Sequence, residues 1–120
     1  MSESKSAPYF NDAERGVARK LIRAIRKRGY TIRHSDGEDL TDCAKMTEGE
    51  IMALLSHTEQ DSLSVHDAQG SRIGGFALIG QGPQADGEEL IADYSWRGAE
   101  EGSANEVVMT TIWNEVVNLK

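Results

Sequence analysis

The chain has few residues from which covalent cross-links or metal sites are built. Of its 120 residues one is cysteine, Cys43, and three are histidine. A single cysteine excludes a disulfide within the chain and a cysteine-rich metal site. The histidines His34, His57 and His66 lack the spacing of a ligand pair on one helix or hairpin. The sequence therefore predicts no metal site, and a protein of a reducing compartment.

Long apolar runs are also missing. No segment approaches the roughly 18 apolar residues that a membrane-spanning helix needs. The N-terminal segment MSESKSAPYFNDAERG has no signal-peptide core, and no lipidation motif is present. We expect a soluble, cytoplasmic protein with no membrane contact.

Catalytic motifs are the third absence. Gly80–Ala85 resembles a dinucleotide fingerprint, but Asp86-Gly87 and a strand follow it, where the fingerprint needs a helix. No serine, cysteine or histidine stands in a recognisable nucleophile motif. The sequence predicts no catalytic residues, no cofactor and no enzymatic activity. A small enzyme of unfamiliar type is kept as an alternative, after nucleic-acid binding.

Basic residues are scarce except in one segment. Eight of the 13 lysines and arginines lie between Arg15 and Arg33, whereas the chain from His34 onward has a net charge of −13. Four of them follow helical i, i+4 spacing, which makes a positive stripe: Arg15, Arg19, Arg23 and Lys27. Such a stripe can bind nucleic acid, an acidic protein partner, or the acidic residues of its own chain. Because the rest of the chain is anionic and aromatic residues are few, nucleic acid is the less favoured ligand.

Two acidic clusters lie outside that segment. One contains Asp36 to Asp42 and the other contains Glu88, Glu89 and Asp93, close to Trp96 in a polar loop. If the fold aligns the clusters along one edge, they can mimic a phosphate backbone; otherwise they serve solubility. Trp96 is the candidate for an exposed binding anchor, and Trp113 is expected in the core.

Hydrophobic periodicity predicts an α+β fold. A helix begins at Asn11 or Asp12 and ends near Gly29, and the segment YTIRH follows as a strand. A capping box at Thr47 opens a short helix, and three strands follow between Asp61 and Ser95. The order is α-β-α-β-β-β-α: about four antiparallel strands covered by N- and C-terminal helices. The strand RIGGFALI is apolar on both faces, so we expect it at the centre of the sheet.

A chain of this length predicts a single domain. Residues 1–10 are polar and aperiodic, so we expect a mobile tail before a domain that spans 11–120. The last segment has β-branched residues, but a capping box from Ser103 to Glu106 and the spacing of Val108, Ile112 and Val116 favour a helix. Its surplus of apolar side chains leaves a homodimer open.

The strand and turn segments together resemble a known group of proteins. Gly29–Ile32 (GYTI), Asp36–Glu38 (DGE), Thr58–Leu63 (TxxDxL), Asp67–Gly70 (DxxG) and Ile91–Tyr94 (IADY) occur in that order. The pattern resembles small uncharacterised proteins encoded by phages, prophages and related mobile elements of proteobacteria, over about residues 20–95. The loop GQGPQADGEE is longer here, and the C-terminal helix lies outside the resemblance.

The resemblance implies an accessory role more than a chemistry. We expect a non-enzymatic phage-type protein that binds and modulates a host protein through Glu88, Glu89, Asp93 and Trp96. The alternative is nucleic-acid binding through Arg15, Arg19, Arg23 and Lys27.

Overall fold

The computed structural model describes residues 10–55, 60–81, 84, 87, 89–96 and 104–117. These residues form three helices and five strands, in an α+β fold with one antiparallel sheet. In chain order the elements are α1 (Asp12–Arg26), β1 (Thr31–Ser35), β2 (Leu40–Asp42), α2 (Glu48–Leu54), β3 (Gln60–His66), β4 (Arg72–Ile79), β5 (Ile91–Trp96) and α3 (Ala104–Val117).

The sheet has one strand more than the sequence predicted. Its spatial order is β2-β1-β3-β4-β5, and every neighbouring pair is antiparallel. The extra strand β2 lies within the acidic cluster from Asp36 to Asp42, where the sequence analysis placed no strand. The chain reverses at Gly37, which has φ 102°, and Leu40 then pairs with Ser35. Backbone pairing with β1 therefore makes this strand, although its side chains show no strand pattern.

The first helix starts with a capping box that the sequence analysis recognised only in part. The Asn11 side chain accepts the Glu14 amide at 2.8 Å, and the Glu14 carboxylate accepts the Asn11 amide at 3.0 Å. The helix ends in a turn with Gly29 at φ 87°, as predicted. Phe10, which we had assigned to a mobile tail, is 4% exposed and belongs to the core. The folded domain therefore includes Phe10.

The other two helices agree with their predicted positions. Thr47 and Glu50 form the expected capping box at the start of α2. In α3 the buried side chains are Met109, Ile112 and Val116, which recur at helical spacing. The predicted cap at Ser103 lies outside the described residues. Burial against the sheet and α1 thus outweighs the strand propensity of the β-branched residues.

The sheet has one face covered by helices and one that no described element covers. Along β3, Asp61, Leu63 and Val65 are buried, while Ser62 and Ser64 between them are partly exposed. Leu63 pairs with Phe76 across the sheet and Ser64 with Gly75, so the alternation continues into β4. We call these the covered face and the open face.

The central strand is β3, so the prediction of β4 at the centre was wrong. β4 has a neighbour on each side, but only β5 lies beyond it. Its Gly74, Phe76 and Leu78 lie on the covered face, and the open face has Gly75 and Ala77. At the middle of β4 the open-face residues are therefore small, and Ile73 near the start of the strand is buried in the core.

The core fills the space between the covered face and the helices. Fully buried side chains come from the sheet and from all three helices, including Ile32, Leu63, Phe76, Leu21, Ile25, Ile51, Met109 and Ile112. At Gly74 a Cβ atom would lie 2.9 Å from Met109 and would also collide with the backbone oxygen of Ser95. Close approach to the backbone at Gly74 therefore sets the distance between α3 and the sheet.

No helix in the described part of the chain is long and apolar enough to span a bilayer.

Candidate binding site on the open face of the sheet

The open face has a floor of small residues. Reading across the strands from β2 to β5, one row consists of Asp42, Arg33, Ser64, Gly75 and Ser95. The adjacent row consists of Leu40, Ser35, Ser62, Ala77 and Asp93. Because β3 and β4 place only serine, glycine or alanine in both rows, the surface is depressed there. The depression is an open pocket of about 410 Å³.

Two arginines border the floor and bind no carboxylate among the residues that the structure describes. Arg33 makes no side-chain hydrogen bond or ion pair in the described part of the chain. Arg72 makes one long contact, 3.5 Å from its Nε to the Gly74 oxygen. Its Nη2 lies 2.8 Å from the position that a Cβ of residue 75 would occupy. Gly75 therefore lets the Arg72 guanidinium lie over the floor.

The neighbouring acidic groups are engaged elsewhere. Asp42 lies opposite Arg33 in the register, but its Oδ1 accepts the Ala44 amide at 3.0 Å. Asp93 accepts its neighbour's amide, from Tyr94, at 2.8 Å. Asp67 accepts the amides of Gln69 and Ser71 at 3.0 and 2.9 Å. Local turn and strand geometry thus holds these carboxylates to the backbone and leaves both guanidinium groups available.

A hydrogen-bonded chain of Ser64, His66 and Gly70 fixes the middle of the site. His66 Nδ1 lies 3.2 Å from the Gly70 oxygen, and Nε2 lies 2.9 Å from Ser64 Oγ. A carbonyl only accepts, so Nδ1 carries the proton, and in the neutral ring Nε2 accepts from the Ser64 hydroxyl. The chain orients Ser64 between the two arginines.

The edge of the pocket at β2 is apolar. Leu40 is 66% exposed on β2 and is one of two large hydrophobic side chains exposed in the described part of the chain, with Val107. It lines the pocket beside Ser35. The open face therefore combines an apolar edge, a small polar floor and two cations.

The predicted basic stripe on α1 is largely neutralised by the protein itself. Arg19 and Arg23 bind Glu48 of α2 at 3.0 and 2.6 Å, and Lys27 binds Glu115 of α3 at 2.7 Å. Arg28 binds the same Glu115 at 2.6 Å. The hydrogen bond from Arg23 holds the pKa of Glu48 below its ordinary value, and Lys27 and Arg28 do the same to the pKa of Glu115. Of the four predicted residues, Arg15 alone makes no ion pair in the described structure.

The acidic clusters do not line up along one edge. Asp42 lies on β2 and Asp93 on β5, at opposite edges of the sheet. Asp36 accepts the amides of Asp39 and Glu38, and these hydrogen bonds lower its pKa. Of the predicted partner-binding carboxylates, Glu89 is exposed and Asp93 lines the pocket, while Glu88 lies outside the described residues. The geometry required for a phosphate-like row along a single edge is therefore not formed by the described residues.

Trp96 is not the exposed anchor that we expected. It pairs with Gly74, which places it on the covered face, and it is half-buried. Tyr94 lies between the two tryptophans, with ring centroids 6.2 Å from Trp96 and 5.7 Å from Trp113. Trp113 is likewise half-buried against the core. The polar sequence around Trp96 misled the prediction because strand parity, rather than local composition, decides its direction.

The histidines and the cysteine do not gather at one place. His34 lies on the covered face, where Nε2 is 2.7 Å from Asp61 Oδ1, and His66 lies on the open face. Burial raises the pKa of the Cys43 thiol, which is 1% exposed. His57 lies outside the described residues. Within the described ranges no three possible metal ligands meet.

The sequence analysis missed Arg33, Ser64, His66 and Arg72 as a group. The available signal was strand alternation: Ser62, Ser64 and His66 alternate with buried residues, and Gly75 and Ala77 occupy the matching parity on the next strand. Register was the missing information, because a shift of one residue would place the same side chains on the other face.

Comparison of the chain with protein-family models, with curated proteins and with solved structures found no match. The resemblance to phage-encoded proteins therefore stays a prediction, and function is argued from the open face.

Proposed function

We propose that this protein is a non-enzymatic accessory protein of the mobile-element type, which binds and modulates a host protein through the open face of its sheet. The supporting observation is the pocket over Ser62, Ser64, Gly75 and Ala77, bordered by Leu40 and by two arginines that bind no carboxylate in the described part of the chain. An apolar contact beside arginine side chains is the composition of a binding surface.

This proposal changes the predicted interface. Asp93 remains in it as a pocket residue, whereas Trp96 is excluded because it packs on the covered face. Nucleic-acid binding through α1 is less well supported, since Arg19, Arg23 and Lys27 already bind carboxylates of α2 and α3.

The test fills the pocket without disturbing the core. Ala77→Tyr places a ring on the floor of the open face, where an aromatic residue is compatible with strand structure. Thr111→Tyr adds the same ring to an exposed position of α3 and is the matched control. Both variants and the parent protein, each tagged and shown to unfold cooperatively, are used to capture proteins from a nuclease-treated bacterial lysate.

We expect a stoichiometric protein that the parent and Thr111→Tyr retain and Ala77→Tyr loses. Equal retention by all three would show that the open face is not the binding surface. Nucleic acid retained without nuclease, with no protein partner, would favour α1 instead.

A further inference from the structure

We propose that Arg33 and Arg72 form a carboxylate-binding site, and that the partner presents an acidic peptide segment across the open face. This inference rests on the proposed function and specifies the chemistry of the partner at that surface.

The first argument is that Arg33 and Arg72 bind no carboxylate in the described residues, whereas other basic residues do. The chain has 20 acidic residues, and four basic residues in or just after α1 bind carboxylates of α2 or α3. Arg33 and Arg72 do not, although Asp42 faces Arg33 across the strands. The nearby carboxylates accept backbone amides instead. A guanidinium group bordering a pocket with its fork unoccupied is suited to an external carboxylate.

The second argument is geometric. Arg33 and Gly75 flank Ser64 in one row, and neighbouring strands lie about 4.8 Å apart. Since the Arg72 guanidinium lies over Gly75, both cations border the same part of the floor. The Ser64 hydroxyl between them can add a third donor by rotating away from His66.

A protein segment fits this surface better than nucleic acid does. The rings of Phe76, Tyr94 and Trp96 belong to the covered face, so they give bases no stacking platform on the open face. Leu40 offers an apolar contact that a peptide side chain can use.

The experiment is an NMR titration of the isotopically labelled full chain with a blocked hexaglutamate peptide. We expect shifts at the amides of Arg33, Ser64 and Gly75, which weaken as salt rises. Arg33→Gln with Arg72→Gln should weaken binding by about tenfold or more, as expected from loss of charged hydrogen bonds. The control is Arg26→Gln, an exposed α1 arginine with no ion pair in the described residues, which should leave binding unchanged. A blocked hexaglutamine peptide should not bind.

Three results would overturn the inference: no shifts on the open face, shifts confined to α1, or saturable binding of inorganic phosphate without binding of the peptide. The proposed function is judged separately by Ala77→Tyr. If that variant loses its partner while hexaglutamate does not bind, the open face is the interface and the carboxylate site is wrong.

Discussion

Gly74 and Gly75 are consecutive residues on opposite faces of the sheet, and they differ in what an added Cβ would contact. Gly74 faces the helices, where a Cβ would meet both the Ser95 backbone and Met109. Gly75 faces the open side, where a Cβ would meet only the terminal atoms of Arg72 and, at 3.5 Å, the Leu63 oxygen. The flexible Arg72 side chain can move away from an added Cβ, but the Ser95 backbone cannot, because β5 is paired with β4.

Gly74→Ala should therefore lower the free energy of unfolding by about 1–3 kcal/mol, the usual range for overpacking. Gly75→Ala should change it by less than about 1 kcal/mol while displacing the Arg72 guanidinium. Chemical denaturation of the two variants measures the difference. Equal effects would show that α3 does not approach the sheet as closely as described.

The His34–Asp61 contact is the second residue-scale feature. Both side chains are buried, 4% and 0% exposed, on neighbouring strands of the covered face. Replacing either one leaves the other polar group buried with fewer partners. The pair must therefore be considered as a unit.

We expect His34→Leu or Asp61→Leu alone to cost on the order of 3 kcal/mol of folding free energy. The double variant should lose less than the sum, because no polar group of the pair is then left behind. Denaturant unfolding of the four proteins gives the coupling energy. Strict additivity would mean that the two side chains do not interact.

At the scale of elements, one carboxylate joins α1 to the loop after β4. Glu14 is 0% exposed; its Oε1 accepts the Asn11 amide, and its Oε2 accepts the Gln81 amide at 2.7 Å. Gly87 of the same loop has φ 92° and lies against Val17 and Ala13. Glu14 therefore caps α1 and also binds the first turn of α1 to the loop after β4.

The two capping boxes give a matched comparison. Glu50→Ala removes an exposed cap of α2 and should cost about 0.5–1 kcal/mol. Glu14→Ala removes a cap and leaves the Gln81 amide without its acceptor, so it should cost about 1–3 kcal/mol more. Thermal and denaturant unfolding measure both. Similar losses would mean that the Gln81 contact contributes nothing.

At the scale of the whole molecule, the cationic helix and the anionic body meet within the fold. Glu48 binds Arg19 and Arg23 and so connects α1 to α2. Glu115 binds Lys27 and Arg28, just after α1, and so connects the end of that helix to α3. These pairs are partly exposed, so each contributes modestly and is screened by salt. Together they explain why a stripe that would repel itself in isolation is stable here.

These bridges make stability depend on pH in a defined direction. The pKa of each carboxyl is lowered in the folded protein from its ordinary value of 4.5. Stability from the two bridges is therefore fully present above that value and is lost as the pH falls through the lowered pKa. Glu48→Gln and Glu115→Gln should destabilise the protein more at pH 7 than at pH 3, because the stabilisation is lost as the pH falls through the lowered pKa values.

Urea unfolding at the two pH values measures this dependence. The control is Glu38→Gln, an exposed turn residue without an ion pair in the described structure, which should have little effect at pH 7. If the effects of Glu48→Gln and Glu115→Gln persisted undiminished in acid, the ion pairs would not be their cause.

The local elements were predictable because each is determined by residues a few positions apart. The cap at Thr47, the positive φ of Gly29 and Gly70 and the periodicity of α3 are properties of short segments. The strand β2 was missed because its cause lies on another strand, in the backbone groups of β1. For the same reason the sequence could not show which basic residues of α1 would find partners.

The sequence by itself determined an α+β domain whose α1 is cationic and whose remaining body is anionic, since composition and periodicity suffice for both. Only the tertiary structure decided the position of β3 at the centre, the partial burial of Trp96 and the pairing of Arg23 and Lys27 with Glu48 and Glu115. Register also decided that Arg33 and Arg72 border a floor of small residues. The physical reason is that strand pairing and charge pairing join residues distant in the chain, so their outcome depends on how the elements pack.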